Sequence, residues 1–136
     1  MTADEIRAAF PAWSRVMCYD ATYGKPTVEW LLRKFYPWWK ARRWEGNLDK
    51  WTRKNDCDNF GRAFAVAAQD AHADTNQADE GLAVGEFCYI GSSHVQGPHH
   101  IVAAFTDEGL IFIEPQTGQR LALTPAEIQT CFHAAF

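Results

Sequence analysis

A chain of 136 residues, 47% hydrophobic and 14% aromatic, is long enough to bury a core and too apolar to stay disordered, and its size predicts one domain over 1–136. The net charge of −4 excludes a uniformly basic protein, and no apolar run approaches the length of a membrane span, so no membrane association is expected. Met1-Thr2-Ala3-Asp4-Glu5 lacks the basic start and apolar core of a secretory signal, which makes a cytoplasmic location the expectation.

The charge is unevenly spread. Residues 1–54 hold eleven Lys/Arg against six Asp/Glu, whereas residues 55–136 hold two against eleven. All six tryptophans, at 13, 30, 38, 39, 44 and 51, fall in the basic part. Basic residues interleaved with aromatics suit nucleic acid, because bases stack on rings while cations meet phosphates, and residues 25–54 are the candidate surface. A helical segment that buries its aromatics and solvates its charges has the same composition, and is the commoner case.

In chain order, Thr2 and Glu5 have capping-box spacing ahead of Ile6, Ala9 and Phe10, predicting a short helix that stops before Pro11. Ala12 to Gly24 reads as irregular, with a turn at Tyr23-Gly24-Lys25-Pro26. Thr27 can cap a helix carrying Trp30, Leu31 and Phe35 on one side, with Pro37 kinking or ending it. From Trp38 to Trp51 helical spacing continues, with Trp44, Leu48 and Trp51 predicted on one buried face. Of the adjacent pair Trp38 and Trp39, one is expected outside, since neighbours in sequence cannot share a helix face.

The next helix carries the chemistry. Asp56 is a predicted N-cap, Asp58 lies in the first turn, and Cys57 falls near the first helical position, where the partial positive charge of the helix end favours thiolate over thiol. The two aspartates oppose that effect, so a reactive Cys57 needs a cationic partner. Cys57 also shares helical spacing with Phe60, Phe64 and Ala68, the pattern of a buried structural thiol. The four cysteines, at 18, 57, 88 and 131, show no C-x-x-C pair and are expected to be reduced.

Asp70 to Gly81 reads as an acidic surface connection without the spacing of a calcium loop. Strands are predicted at Leu82–Ile90 and Ile101–Phe105, the latter with His99-His100 at its mouth, and at Leu110–Glu114 across a hairpin turn, with a further one at Arg120–Leu123. Thr124-Pro125-Ala126-Glu127 should launch a last helix through Cys131 and Phe132. Helices first and strands later predict an α+β fold with N-terminal helices packed on a small antiparallel sheet: a basic, Trp-rich helical part over 1–54, then the Cys57 helix and the sheet over 55–136.

Glu114 is out of place at the end of Leu-Ile-Phe-Ile unless something pairs with it. A three-residue hairpin turn with Gly109 in a bulge puts His100 on Glu114's face of the sheet, whereas a two-residue turn puts His99 there. Asp107-Glu108-Gly109 favours the bulge, so His100 is the expected partner and His99 the alternative. Cysteine at a helix start, histidine opening a strand and an acid on the next strand are the parts of a nucleophile, base and orienting-group site. The plain alternatives are a polar loop histidine and a Glu114–Arg120 ion pair.

Asp56-Cys57-Asp58-Asn59-Phe60, His100 before Ile-Val-Ala-Ala-Phe, and Ile113-Glu114-Pro115-Gln116-Thr117-Gly118 together resemble the papain-like cysteine peptidase domain found at the C-terminus of the Marasmius oreades agglutinin and in small bacteriophage proteins. The likeness covers roughly residues 55–118. It implies a papain-like fold and a thiol hydrolase, a cysteine peptidase or amidase, with Cys57 as nucleophile, His100 as base and Glu114 as its orienting partner. Gln116 is a candidate oxyanion donor beside the backbone N–H of Cys57. The resemblance implies calcium as activator, although no calcium ligand set is legible in the residues. Its partners would be a peptide or protein substrate, in the host cytoplasm for a phage product. The competing expectation is a protein that keeps the scaffold without turnover and binds a host factor.

Overall fold

The computed structural model describes residues 1–75 and 79–136; part of the acidic connection read at 70–81 therefore lies outside the described residues. Its frame is a six-stranded sheet in the order β1 (Arg15–Met17), β8 (Cys131–Ala135), β4 (Val84–Tyr89), β5 (His99–Thr106), β6 (Gly109–Glu114), β7 (Gln119–Leu121). All neighbours are antiparallel except β1 and β8, which run parallel. A separate parallel pair joins β2 (Tyr23–Gly24) to β3 (Gly81–Leu82). The mixed α+β class holds, but the sheet is larger than expected and not wholly antiparallel.

The alternation of side chains along β5 divides the core in two. Ile101, Ala103 and Phe105 face a cluster with Ile6 and Phe10 of the N-terminal segment, Phe87, Tyr89, Phe112 and Phe136. Val102 and Ala104 face the opposite cluster, built on Phe60, Phe64, Leu31, Phe35 and Trp39. Helix α3 (Cys57–Thr75) lies on this second face, with Phe60, Phe64 and Ala68 turned into the sheet. It runs six residues into the stretch read as a connection.

Both predicted capping boxes form. Thr2 caps α1 (Ala3–Ala8), and Thr124 caps α4 (Pro125–Ile128) with Pro125 in the first turn. The latter helix is a single turn, because Cys131 onward pairs with both β4 and β1 and the sheet partners prevail over local helical preference. Arg15–Met17 and Tyr23–Gly24, within the region read as irregular, are likewise strands too short to show a period. Thr27 accepts from the N–H of Trp30 at 3.1 Å and opens a π-helical segment, Glu29–Phe35, that runs straight into α2 (Tyr36–Glu45). Pro37 thus sits in the first turn of α2, where the π-helical segment gives way to α-helix.

Helix α2 stops at Glu45, so the predicted buried face over Trp44, Leu48 and Trp51 does not exist: all three are exposed. Trp39 is buried while Trp38 is 43% exposed, which settles that pair. Among the described residues, no helix is long and apolar enough to cross a membrane.

Candidate functional site

The β5–β6 hairpin decides which histidine meets Glu114. Thr106 pairs with Gly109, Ala104 with Ile111 and Val102 with Ile113, so the turn has two residues, Asp107 and Glu108, and carries no bulge. Gly109 takes φ +97°, and the Thr106 hydroxyl donates to the Gly109 carbonyl at 2.9 Å while accepting from the Glu108 N–H at 3.1 Å. This register places Glu114 on the face of Ile101 and His99. The expected His100–Glu114 pair is therefore corrected: His99 Nε2 lies 2.9 Å from Glu114 Oε2, and His99 is only 5% exposed, with its ring 5.9 Å from that of Tyr89. The alternative Glu114–Arg120 ion pair is also not formed, since Arg120 engages Glu108.

Glu114 is held at both oxygens, because Oε1 accepts the backbone N–H of Gln116 at 3.1 Å. The Gln116 carbonyl in turn accepts from the Tyr36 hydroxyl at 3.2 Å and from Lys40 Nζ at 2.8 Å. Gln116 thus enters the array through its backbone, as a joint between the β6–β7 turn and α2. Burial raises the Tyr36 phenol above its ordinary range, and the charge of Glu114 adds to that.

His100 faces the other way, beneath α3. Its Nε2 is 2.9 Å from Glu86 Oε2 and 3.2 Å from Cys88 Sγ. The other oxygen of Glu86 accepts from His133 Nε2 at 3.2 Å, and Arg62 Nε stands 3.5 Å from Oε2. The hydrogen bond from His100, then that from His133 and the nearby positive charge, hold the Glu86 carboxyl down at about 2 against the opposing effect of burial. Sequence reasoning missed Glu86 and His133. The signal was there in part: Glu86 interrupts an apolar strand just as Glu114 does, whereas His133 lay in a segment read as helix.

Cys57 begins α3 as expected, and its thiol is raised from its ordinary range. Burial pushes it up, the charges of Asp56 and Asp58 add to the rise, and the backbone N–H of His100 offsets only part of it. At the start of α3 the backbone N–H of Asp56 donates to Asn59 Oδ1 at 3.3 Å, and the interaction between the Asp56 and Asp58 side chains raises the Asp56 carboxyl and lowers that of Asp58. The sulfur therefore lies beside the peptide joining His99 to His100, while the two rings serve carboxylates on opposite faces of the sheet.

Among the described residues the implied calcium finds no fitting set of ligands. Asp20, Asp70, Asp79 and Glu80 line one recess, yet among the described residues no group of three or more His, Cys, Asp or Glu is placed to hold a metal ion.

No known family model matches the chain, and no curated protein matches it. Solved structures do. One, described as "PSL1a-E64 complex", superposes with a TM-score of 0.74 at 20% identity, covering 100% of this chain and 50% of its own. Another, Polyporus squamosus lectin bound to the epitope Neu5Aca2-6Galb1-4GlcNAc, gives 0.71 at 20% identity over 100% of this chain and 49% of its own. The chain thus spans about half the length of these neighbours, and at this identity the likeness establishes the fold alone. The expected kinship with one half of a lectin holds at that level. The thiol-hydrolase expectation, with its cysteine-peptidase and papain-like labels, is corrected by the structural neighbours, which are lectins, binding proteins by name.

Proposed function

We propose that the chain is a ligand-binding domain acting without turnover, with residues 1–136 as one unit. Its ligand site is the mouth of the β5–β6 pair beside the start of α3, lined by Cys57, His99, Glu114 and Gln116, and its ligand is a peptide or a peptide-like segment of a protein. The observation that carries this reading is the His99–Glu114–Gln116 array, in which a carboxylate is fixed at both oxygens and orients a buried imidazole at a strand end. Strand ends next to a helix N-terminus offer polar groups to the amides and carbonyls of an incoming chain. In this setting the protonated Cys57 thiol contributes a contact surface. One structural neighbour was solved as a complex with E64, which supplies a probe.

Calorimetric titration of Cys57→Ser, which removes the thiol that the epoxide of E64 would alkylate and leaves only reversible binding, with E64 and in parallel with the trisaccharide Neu5Aca2-6Galb1-4GlcNAc, tests the reading. Saturable E64 binding that weakens about tenfold or more in His99→Ala is the expected result, the size of a lost buried polar contact. No E64 binding, equal binding by His99→Ala, or binding of the trisaccharide alone would overturn the site or its ligand class.

A further inference from the structure

The end of α2 and the segment after it hold large apolar side chains in water at a cost the fold does not need. Trp44 is 66% exposed, Leu48 47% and Trp51 58%. They are not on a frayed end. Asn55, itself 8% exposed, donates through Nδ2 to the carbonyls of Leu48 at 2.9 Å and Lys50 at 2.8 Å. Its Oδ1 accepts from Arg43 Nη2 at 2.6 Å, and its backbone pairs in both directions with Thr52. The Arg43 guanidinium rests 4.8 Å from the Phe60 ring, which ties the loop to α3. Asn47 accepts the left-handed region at φ +55°, a conformation that most side chains resist and that turns the chain back. A buried amide network of this kind fixes the loop's shape, so the exposed tryptophans are presented rather than left over.

The charges around them identify the partner. Arg42, Lys50, Arg53 and Lys54 are all exposed on this segment, against the acids Glu45 and Asp49. Tryptophan and arginine are among the residue types enriched where protein–protein contacts are made. Two features favour a polypeptide over single-stranded nucleic acid. Leu48 offers nothing to a stacking base, and the Trp38 face is already covered by Arg42, whose guanidinium carbon lies 4.0 Å from the ring centre.

We infer that Trp44, Leu48 and Trp51 form a docking surface for an acidic, amphipathic segment of a partner protein. Leucine-type side chains of the partner seat against the two indoles and Leu48, while its carboxylates meet the surrounding cations. The surface is independent of the His99–Glu114 site, so either can fail without the other.

The test is fluorescence anisotropy with a dye-labelled peptide of about fourteen residues carrying leucines on one helical face and glutamates on the other, the spacing such grooves read. The full chain should bind it saturably, several-fold more weakly when salt is raised through the range that screens surface charge. Trp44→Ser and Trp51→Ser should each weaken binding about tenfold or more, with thermal midpoints unchanged because both side chains are exposed. A control peptide with leucine replaced by serine should bind about tenfold more weakly. Absence of saturable binding, equal binding of the control, or tighter binding of an oligothymidylate would each overturn the proposal, the last by making the surface a nucleic-acid site.

Discussion

His99 and His100 are neighbours in sequence, share one strand and are both buried, yet they belong to different structures. His100 is one of three cationic or potentially cationic groups gathered on Glu86, and that carboxylate ties β8, β4, β5 and α3 together. His99 meets a carboxylate whose other oxygen takes a backbone N–H and whose loop is held by Tyr36 and Lys40. The first arrangement is a brace that loses much if any member leaves. The second is a small polar array at a strand end, able to take a further partner. Similar residue types thus do two jobs, and the strand's alternation of faces separates them.

Removing the acid from each array is the sharpest way to measure that difference. Glu86→Ala leaves two imidazoles and a guanidinium without their shared acceptor at a site where the carboxylate is only 13% exposed, so a loss of about 3 kcal/mol in urea unfolding is expected. Acid should reach the same brace. Glu86 is lowered from 4.5 to about 2, so the folded state binds fewer protons than the unfolded one; its contribution is complete above the ordinary carboxylate range and is lost as pH falls from about 4.5 through about 2. Unfolding followed across that window should show a slope worth a few kcal/mol that flattens in Glu86→Gln.

Gly61 adds a steric edge to the comparison. A Cβ there would stand 2.9 Å from His100 Cδ2 and 3.4 Å from the Ile101 carbonyl, so Gly61→Ala should lift α3 from the brace. Overpacking of about 1–3 kcal/mol should exceed the gain of about 1 kcal/mol in helix propensity, giving a lower thermal midpoint. Glu114→Gln is expected to cost about 1 kcal/mol, because only one imidazole and one N–H lose their charged acceptor, and to weaken E64 binding. Equal losses for Glu86→Ala and Glu114→Gln would erase the distinction.

Much of the architecture was legible where local chemistry decides it. Capping boxes at Thr2 and Thr124, the Cys57 helix and the strands around His99 and Glu114 all carry their own signals. The failures lie where partners distant in sequence decide. Arg15–Met17 and Cys131–Ala135 become strands because they pair with each other across nearly the whole chain, and Leu48 and Trp51 leave the helical pattern because α2 stops at Glu45 and the buried Asn55 holds the carbonyls of Leu48 and Lys50. The histidine assignment turned on a single residue of hairpin length. Asp107-Glu108-Gly109 is compatible with either turn, and the Thr106 hydroxyl that closes the shorter one leaves no periodic mark.

The central claim is that ligand binding uses His99 and Glu114 while His100 and Glu86 hold the sheet and helix together. Histidine-ring NMR spectra of Cys57→Ser, whose side chain is not alkylated by the epoxide, recorded during addition of E64 test it directly. The ring signals of His99 should move with saturating dependence on the compound while those of His100 and His133 stay in place. Signals of His100 moving while those of His99 remain fixed, or no change in any ring, would contradict it.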